Sequence, residues 1–329
     1  MVSFREGIIC DILSLTHSAA AYDNFNYSYV DNALEHGYAT LAYDRLSIGN
    51  STHAPNSTAA RDQFQSFLEI QALRSLTMQI RNGSMPHVNQ TYSKVVHVGH
   101  SFGSAQTYAL VAAYPNLSDG IVLTGFSMNA SFVGYFAAGA DFQLANLNQP
   151  FRFGSSATAG AIASGLNYLT QNYALTDYVA GLNLGSAVGQ ALNYANGYVV
   201  NSNANSQQYL FFLPGAFDTG ILYWAESTKQ PVTQGELFTL GSLPMMNAYK
   251  GPVLVVTGEN DLPYCGGNCL ATGGAAASVP AGVKMNFPNA SSFEAYIQPM
   301  TGHGLNFHYN ATAGYDVIAN WLSTHKLKA

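Results

Sequence analysis

Short apolar runs alternate with helix-like segments through the first third of the chain. The runs are rich in Val, Ile and Leu and have the length of buried strands, whereas the segments between them place apolar residues at helical spacing. This alternation predicts a mostly parallel sheet with helices on both faces. The strands are predicted at 7–15, 38–43, 94–98 and 121–125, and the helices at 29–35, 58–82 and 102–113.

A different pattern begins near residue 129 and continues to 250. This stretch is rich in Ala, Asn, Gly, Tyr and Leu, has weak helical spacing and contains no run typical of a buried strand. We therefore predict two domains: an α/β core formed by residues 1–128 and 251–329, and an inserted, mainly helical cap formed by 129–250. Further core strands are predicted at 253–257 and 293–297, and a final amphipathic helix at 313–325.

The composition excludes two classes of protein. Hydrophobic residues make up 48% of the 329 residues, so the chain can bury a sizeable core. Its apolar runs are shorter than the roughly 18 residues of a membrane span, so no integral membrane segment is predicted. The formal net charge is −6 and basic residues cluster only at 326–328, so no nucleic-acid partner is predicted.

Charged residues make up only 9% of the chain, and nine Asn-x-Ser/Thr sequons offer another way to hydrate the surface. They predict an extracellular or secretory-pathway glycoprotein, although an Asn- and Ser-rich chain also produces such triplets by chance. Residues 1–6 contain no apolar signal segment, so we expect the signal peptide to be absent from this chain, with a cytoplasmic protein as the alternative. The sequon asparagines are Asn26, Asn50, Asn56, Asn82, Asn89, Asn116, Asn129, Asn289 and Asn310.

The chain has three cysteines. Cys265 and Cys269, in Cys-Gly-Gly-Asn-Cys, are close enough to form a disulfide if the two glycines allow a tight loop. Cys10 lies in an apolar run and is predicted to be a buried thiol. Because no His or second Cys pair accompanies Cys265 and Cys269, no metal site is predicted.

One short motif predicts a nucleophile. Residues 99–103 read Gly-His-Ser-Phe-Gly and match G-x-S-x-G, with a Val-rich strand directly before the motif and a helix directly after it. A sharp strand-to-helix turn needs glycines beside its central residue and lifts that residue above the sheet. Ser101 is therefore the predicted nucleophile, and a tight turn with an incidental serine is the alternative.

A serine nucleophile needs a base, and the base needs an acid to orient it. On a sheet of this kind the order along the chain is Ser, then Asp or Glu, then His. Asp261 follows the predicted strand at 253–257 and is the first candidate for the acid, with Glu259 as the second. His303, between two glycines after the last predicted strand, is the first candidate for the base, with His308 as the second.

Other titratable residues fit structural positions better. Asp44 follows a strand end but precedes Ser101, so we interpret it as part of a structural turn. His97 lies inside a predicted strand and is expected in the core. His100 is the variable residue of the Ser101 motif and is expected to form a wall of the site.

Together these segments resemble the α/β-hydrolase-fold serine hydrolases that carry a cap, and are similar to secreted members of filamentous fungi. The resemblance implies Ser101 as nucleophile, His303 as general base and then acid, and Asp261 as its orienting carboxylate. It also implies the Phe102 amide as half of the oxyanion hole, with no metal or organic cofactor. The segments that carry it are Tyr43–Leu46, Gly99–Gly103, Val255–Asp261, Cys265–Cys269 and Gly302–Gly304.

The chain departs from this pattern near its start. The second oxyanion amide normally follows a His-Gly pair, but here His17 is followed by Ser18 and Ala19, either of which could provide that amide. The family also places two antiparallel strands before this point, and the few residues here predict that these strands are shortened.

The expected activity is hydrolysis of a small-molecule carboxylic ester through an acyl-enzyme. The aromatic run at 209–213 in the predicted cap favours an apolar or aromatic substrate. A hydroxynitrile lyase, an acyltransferase or a peptidase could use the same three residues, and a non-catalytic ligand-binding member of the fold is a further alternative. The serine at position 101 argues against the dehalogenases and epoxide hydrolases, which use an aspartate there. No oligomeric state is predicted.

Overall fold

The computed structural model describes residues 8–11, 22–88, 90–155 and 192–328. In chain order, the described strands are β1 (Ile8–Asp11), β2 (Ala39–Ala42), β3 (Val95–His100), β4 (Gly120–Thr124), β5 (Gln143–Leu144), β6 (Tyr198–Val200), β7 (Val232–Thr233), β8 (Val253–Gly258) and β9 (Phe293–Gln298). Six of them form the central sheet in the order β2-β1-β3-β4-β8-β9, and all neighbouring pairs are parallel. The predicted α/β fold with a parallel sheet is therefore confirmed.

Helices flank this sheet, and further helices occur in the described part of the segment between β4 and β8. The described helices are α1 (Tyr29–Glu35), α2 (Ser57–Asp62), α3 (Ser66–Asn82), α4 (Phe102–Ala113), α5 (Val133–Ala140), α6 (Ala145–Asn148), α7 (Pro150–Phe153), α8 (Ala204–Phe211), α9 (Thr219–Thr228), α10 (Gln234–Thr239), α11 (Leu262–Cys265) and α12 (Ala311–Thr324). Two 3₁₀ turns cover Pro280–Asn286 and Leu305–Phe307. No helix within the described ranges is both long and apolar enough to cross a bilayer.

Alternate residues of the central strands pack on opposite faces of the sheet. Val122 of β4 and Leu254 of β8 join a buried cluster with Trp321 of α12. The neighbouring position in β4, Ile121, instead joins a second buried cluster that contains Tyr108 of α4. Because successive strand residues point to opposite faces, these two clusters show that the sheet is covered on both sides.

The parallel arrangement brings three strand ends together. Strands β3, β8 and β9 run in the same direction, so their carboxyl ends lie along one edge of the sheet. Ser101 follows β3, Asp261 comes soon after β8, and His303 lies beyond β9. Residues far apart in sequence are thereby placed at a common edge, which is where α/β sheets usually bind their ligands.

The prediction of a single helix at 58–82 is wrong. The structure has two helices there, α2 and α3, with a break at residues 63–65. Asn56 caps the first of them, since its side chain accepts the amide of Ala59 at 2.9 Å. At the break, the Phe64 carbonyl accepts the hydroxyl of Thr233 at 2.8 Å. A distant residue therefore hydrogen-bonds to the break, and the helical spacing of the local sequence does not reveal this contact.

The segment predicted as a cap contains a small antiparallel sheet as well as helices. Strands β5, β6 and β7 pair in that order. We predicted no buried strand here, but β6 is buried throughout. These strands are only two or three residues long, too short to produce an apolar run in the sequence. The boundaries of core and cap remain a prediction, and residues 156–191 of the predicted cap lie outside the described part of the chain.

Candidate active site

Ser101 occupies a strained turn between β3 and α4. Its backbone has φ 52° and ψ −112°, a region that non-glycine residues rarely adopt. The turn brings strand and helix so close that a Cβ atom at Gly99 would lie 2.3 Å from the carbonyl oxygen of Gly103. Close packing therefore requires a glycine at position 99, and the sharp turn that the sequence predicted is present.

A continuous chain of hydrogen bonds joins Asp261, His303 and Ser101. The Ser101 Oγ lies 2.7 Å from His303 Nε2, and His303 Nδ1 lies 2.6 Å from Asp261 Oδ2. The Asp261 and His303 side chains are fully buried. Since a carboxylate can only accept, the consistent assignment has Nδ1–H donating to Asp261 and the serine hydroxyl donating to Nε2.

Asp261 is held by the helix that follows it. It is the N-cap of α11, and its Oδ1 accepts the amide of Tyr264 at 2.9 Å. The disulfide between Cys265 and Cys269 is present, so the end of α11 is covalently linked to the following loop. The Cys269 amide also donates to the carbonyl of Glu259 at 2.8 Å, and this bond attaches the loop to the residue that follows β8. One carboxylate oxygen of Asp261 therefore accepts a hydrogen bond from the helix, and the other accepts one from His303.

His303 lies on a loop that packs closely against the end of α8. A Cβ atom at Gly302 would lie 2.9 Å from the carbonyl oxygen of Phe211, so only glycine allows this approach. The amide of Gly304 donates to the same carbonyl at 2.8 Å. Aromatic rings surround the imidazole, with centroids at 5.0 to 5.9 Å: His100, Phe136, Phe211 and Tyr264.

The second-choice residues lie elsewhere in hydrogen-bonded networks. Glu259 accepts the amide of Met300 at 3.4 Å, and Asp44 accepts the amide of Asn50 at 3.0 Å within its own loop. The ring nitrogens of His308 hydrogen-bond to the backbone of Gly302, Gly304 and Leu213, and burial lowers the pKa of this ring to about 4. The geometry thus brings Asp261 and His303, rather than these alternatives, to Ser101.

His97 has the core position expected from its strand. Its ring nitrogens lie 2.9 Å from the hydroxyl oxygens of Thr77 and Ser118. Burial lowers the pKa of His97 to about 3, so the ring is neutral at physiological pH. His100, in contrast, lines the cavity in front of Ser101, as expected for the variable residue of the motif.

One of the two predicted oxyanion amides is described. Phe102 is the first residue of α4, and the amide of such a residue has no acceptor within its own helix. It lies directly after Ser101, at the positive end of the helix dipole. Ser18 and Ala19, the candidates for the second amide, lie outside the described residues.

A cavity of about 260 Å³ opens in front of Ser101 and is walled mainly by apolar residues of the segment between β4 and β8. Two charged residues of its lining, Arg45 and Glu236, form an ion pair and were not predicted from the sequence. Arg45 follows a predicted strand, a position where site residues are common, and this was the available signal. The apolar wall includes Phe136, Phe142, Leu210, Phe211 and Leu237.

The described residues contain no cluster of three or more His, Cys, Asp or Glu side chains arranged to hold a metal ion. The Asp261–His303 pair is the closest arrangement of acid and imidazole at the site, and both side chains are already hydrogen-bonded to each other. The site thus combines a serine hydroxyl hydrogen-bonded to a buried imidazole with a cavity lined mainly by apolar residues.

Comparisons with known proteins agree with this architecture. The monoacylglycerol lipase of Paleococcus ferrophilus is similar, with 12% identity, a TM-score of 0.54 and coverage of 97% of this chain and 94% of the lipase. A methylesterase from Arabidopsis has 12% identity, a TM-score of 0.54 and coverage of 96% and 99%. A protein of Mycobacterium tuberculosis described as a non-heme bromoperoxidase has 15% identity, a TM-score of 0.55 and coverage of 99% and 95%. At such identities the likeness shows the fold alone.

No curated protein matches the chain significantly in sequence. A sequence profile of the alpha/beta hydrolase family, however, matches residues 14–313 and so spans most of the 329 residues. This match includes five of the six strands of the central sheet, all but β1, together with the strained serine turn and the residues that follow β8 and β9. The chain belongs to the alpha/beta hydrolase family.

Proposed function

We propose that the protein is a serine hydrolase that cleaves a carboxylic ester through an acyl-enzyme formed on Ser101. The observation that carries this proposal is the unbroken hydrogen-bond chain from Asp261 through His303 to Ser101, at the floor of an apolar cavity. A serine hydroxyl is a weak nucleophile until a neighbouring base accepts its proton. His303 is placed to accept that proton, and Asp261 to orient the imidazole and stabilise its charged form.

The reaction proceeds in two halves. Ser101 Oγ attacks the ester carbonyl carbon while its proton passes to His303 Nε2, and the tetrahedral oxyanion faces the amide of Phe102. The carbon–oxygen bond to the alcohol then breaks, and His303 returns its proton to that departing oxygen. A water molecule next gives a proton to His303 and attacks the acyl carbon, and the returning proton restores Ser101 as the carboxylic acid leaves.

Two observations support an ester with an apolar or aromatic group. The cavity wall beside Ser101 is built mainly of Phe, Leu and Val side chains, which favour an apolar ligand. Two of the similar solved structures are described as a monoacylglycerol lipase and a methylesterase, both of which act on esters. We therefore place the substrate among small carboxylic esters.

We also propose that the protein is a glycoprotein of the secretory pathway. Six sequon asparagines are exposed, namely Asn26, Asn50, Asn56, Asn82, Asn116 and Asn289, and are open to modification. The disulfide between Cys265 and Cys269 fits an oxidising compartment. Expression in a eukaryotic secretory host, followed by removal of N-linked sugars, should lower the mass, and an unchanged mass would refute this location.

The activity is tested with p-nitrophenyl esters of increasing acyl length. The wild-type protein should release nitrophenol, with a preference among acyl lengths that reflects the apolar cavity, whereas Ser101→Ala should not exceed the buffer rate. Melting curves of both proteins establish that the variant is folded. Equal rates for wild type and Ser101→Ala would overturn the proposal, as would no turnover of any ester by folded wild type.

A further inference from the structure

His308 lies on the same loop as His303. Its side chain hydrogen-bonds to the backbone on both sides of His303. Its Nε2 accepts the amide of Gly302 at 3.0 Å, and its Nδ1 lies 2.9 Å from the carbonyl oxygen of Gly304. The same Nε2 also accepts the amide of Leu213 at 2.9 Å. The side chain is fully buried, so these three bonds have no competition from bulk water.

The partners define the protonation state of the ring. A nitrogen that accepts two backbone N–H groups cannot itself carry a proton, so Nε2 of His308 is bare. Nδ1 faces a carbonyl oxygen and must therefore carry the proton. Only the neutral Nδ1–H imidazole satisfies all three bonds at once.

The Leu213 bond connects the His303 loop to the chain that follows α8. Two further bonds join the same segments: Gly304 N–H donates to Phe211 O at 2.8 Å, and Tyr309 N–H donates to Ala216 O at 3.1 Å. The ring of Phe211 in turn stacks against the imidazole of His303, with 5.7 Å between centroids and 22° between planes. These bonds therefore hold the His303 loop and the segment from Phe211 to Ala216 together as one unit. His308 lies between the two segments.

We propose that His308 is a positioning residue that keeps His303 in hydrogen-bonding distance of Ser101 by fixing the peptide groups on both sides of His303 and tying them to Leu213. It touches neither the substrate nor the reacting atoms. This inference rests on the proposed function, because it assigns His308 a role through His303. A displacement of about 1 Å in a reacting group can cost about 100-fold in rate, so loss of these bonds should be visible in kinetics.

A purely structural role predicts a different outcome, and His97 provides the matched comparison. His97 is also a fully buried histidine with both ring nitrogens hydrogen-bonded, but its partners Thr77 and Ser118 are side chains away from the His303 loop. Replacing either histidine with Phe removes buried hydrogen bonds and should lower the melting temperature. Only replacement of His308 should slow the reaction of Ser101.

The experiment measures the rate at which a fluorophosphonate labels Ser101 in the intact 329-residue chain and resolves it into a maximal rate and a half-saturating concentration. The variants are His308→Phe, His308→Gln and His308→Asn, with His97→Phe as the control. The Gln side chain can place its carbonyl oxygen near the Nε2 position and so accept the amides of Gly302 and Leu213, whereas the shorter Asn does not reach that position.

We expect His308→Phe and His308→Asn to lower the maximal labelling rate by about 10- to 100-fold with little change in the half-saturating concentration. His308→Gln should recover most of the rate, and His97→Phe should label within about threefold of wild type in spite of a lower melting temperature. If His308→Phe does not fold, the comparison of Gln with Asn decides the matter.

Wild-type labelling rates in folded His308→Asn and His308→Phe would overturn the inference while leaving the proposed function in place. So would rates that fall equally in the His308 and His97 variants, because this pattern follows stability alone. An unlabelled wild-type protein would instead refute the proposed function itself, and with it the role of His308.

Discussion

Arg45 and Glu236 form an ion pair that joins the loop after β2 to helix α10, and both side chains are largely withdrawn from solvent, at 12% and 0% exposure. The second carboxylate oxygen of Glu236 accepts the backbone amide of Thr233 at 2.8 Å and completes the capping box of α10. The Arg45 guanidinium also lies 5.0 Å from the ring centroid of Phe102. This buried ion pair therefore links helix α10, which lines the cavity, to Arg45. The Arg45 guanidinium in turn packs on Phe102, the residue next to Ser101.

Glu236→Gln should lower the free energy of unfolding by about 3 kcal/mol, because it removes the carboxylate paired with the buried guanidinium of Arg45 and leaves Glu69 as its remaining acidic neighbour. Urea unfolding of both proteins measures the difference. Asp62→Asn is the matched control, since the Arg61–Asp62 pair is exposed to solvent and should contribute little to stability. A loss for Glu236→Gln no larger than that of the control would contradict this account of the pair.

Asp261→Asn should reduce ester turnover by about 10⁴-fold, because an amide cannot hold the imidazole of His303 in the required tautomer as a carboxylate does. The assay is hydrolysis of the best p-nitrophenyl ester under saturating conditions. Glu259→Gln is the control, since Glu259 bonds to the amide of Met300, and its turnover should stay within about threefold of wild type. A large loss in Glu259→Gln with a small loss in Asp261→Asn would reverse the assignment of the acid.

Removing the disulfide between Cys265 and Cys269 should lower the free energy of unfolding by about 2 kcal/mol, the value expected for closing a very short loop. It should also loosen the end of α11, whose first turn is capped by Asp261. Thermal melting of the oxidised protein with and without reductant measures the effect, after mass analysis has established that the starting material is oxidised. Identical melting under both conditions would show that the bridge does not stabilise this loop.

Acid should destabilise the wild-type protein more than His97→Gln. The folded pKa of His97 is lowered to about 3 from its usual 6.5, so the unfolded chain takes up the proton first as the pH falls, and the stability gained from the neutral ring is lost below pH 6.5. Between pH 7 and pH 5 the loss attributable to this ring is about 2 kcal/mol. Urea unfolding of both proteins at the two pH values isolates it, and parallel losses in the two proteins would contradict the buried neutral state.

The parts of the fold that could be predicted depend on local sequence. The Gly-His-Ser-Phe-Gly motif has its own steric requirement, since Gly99 and Gly103 must approach closely, and the Val-rich runs of β3 and β8 mark buried strands. Asp261 and His303 follow from the order of such strands along the chain. These features could therefore be placed from the sequence before any distance was known.

The parts that could not be predicted depend on contacts between distant residues. Arg45 and Glu236 are separated by 191 positions, and neither has a local pattern that indicates the other. At the break between α2 and α3 the Phe64 carbonyl accepts the hydroxyl of Thr233, and the amide of Leu213 donates to His308, which was the second candidate for the base from sequence alone. In each of these contacts one partner lies in the segment between β4 and β8, namely Glu236, Thr233 or Leu213.

The most direct test of the central claim is intact-mass analysis of the purified protein after treatment with a fluorophosphonate. The account predicts a single adduct on the wild-type protein and none on Ser101→Ala, because only a serine with an assembled base and oxyanion site reacts at a useful rate. An unmodified mass for folded wild-type protein, or an adduct of equal yield on Ser101→Ala, would contradict the claim that Ser101 is an activated nucleophile.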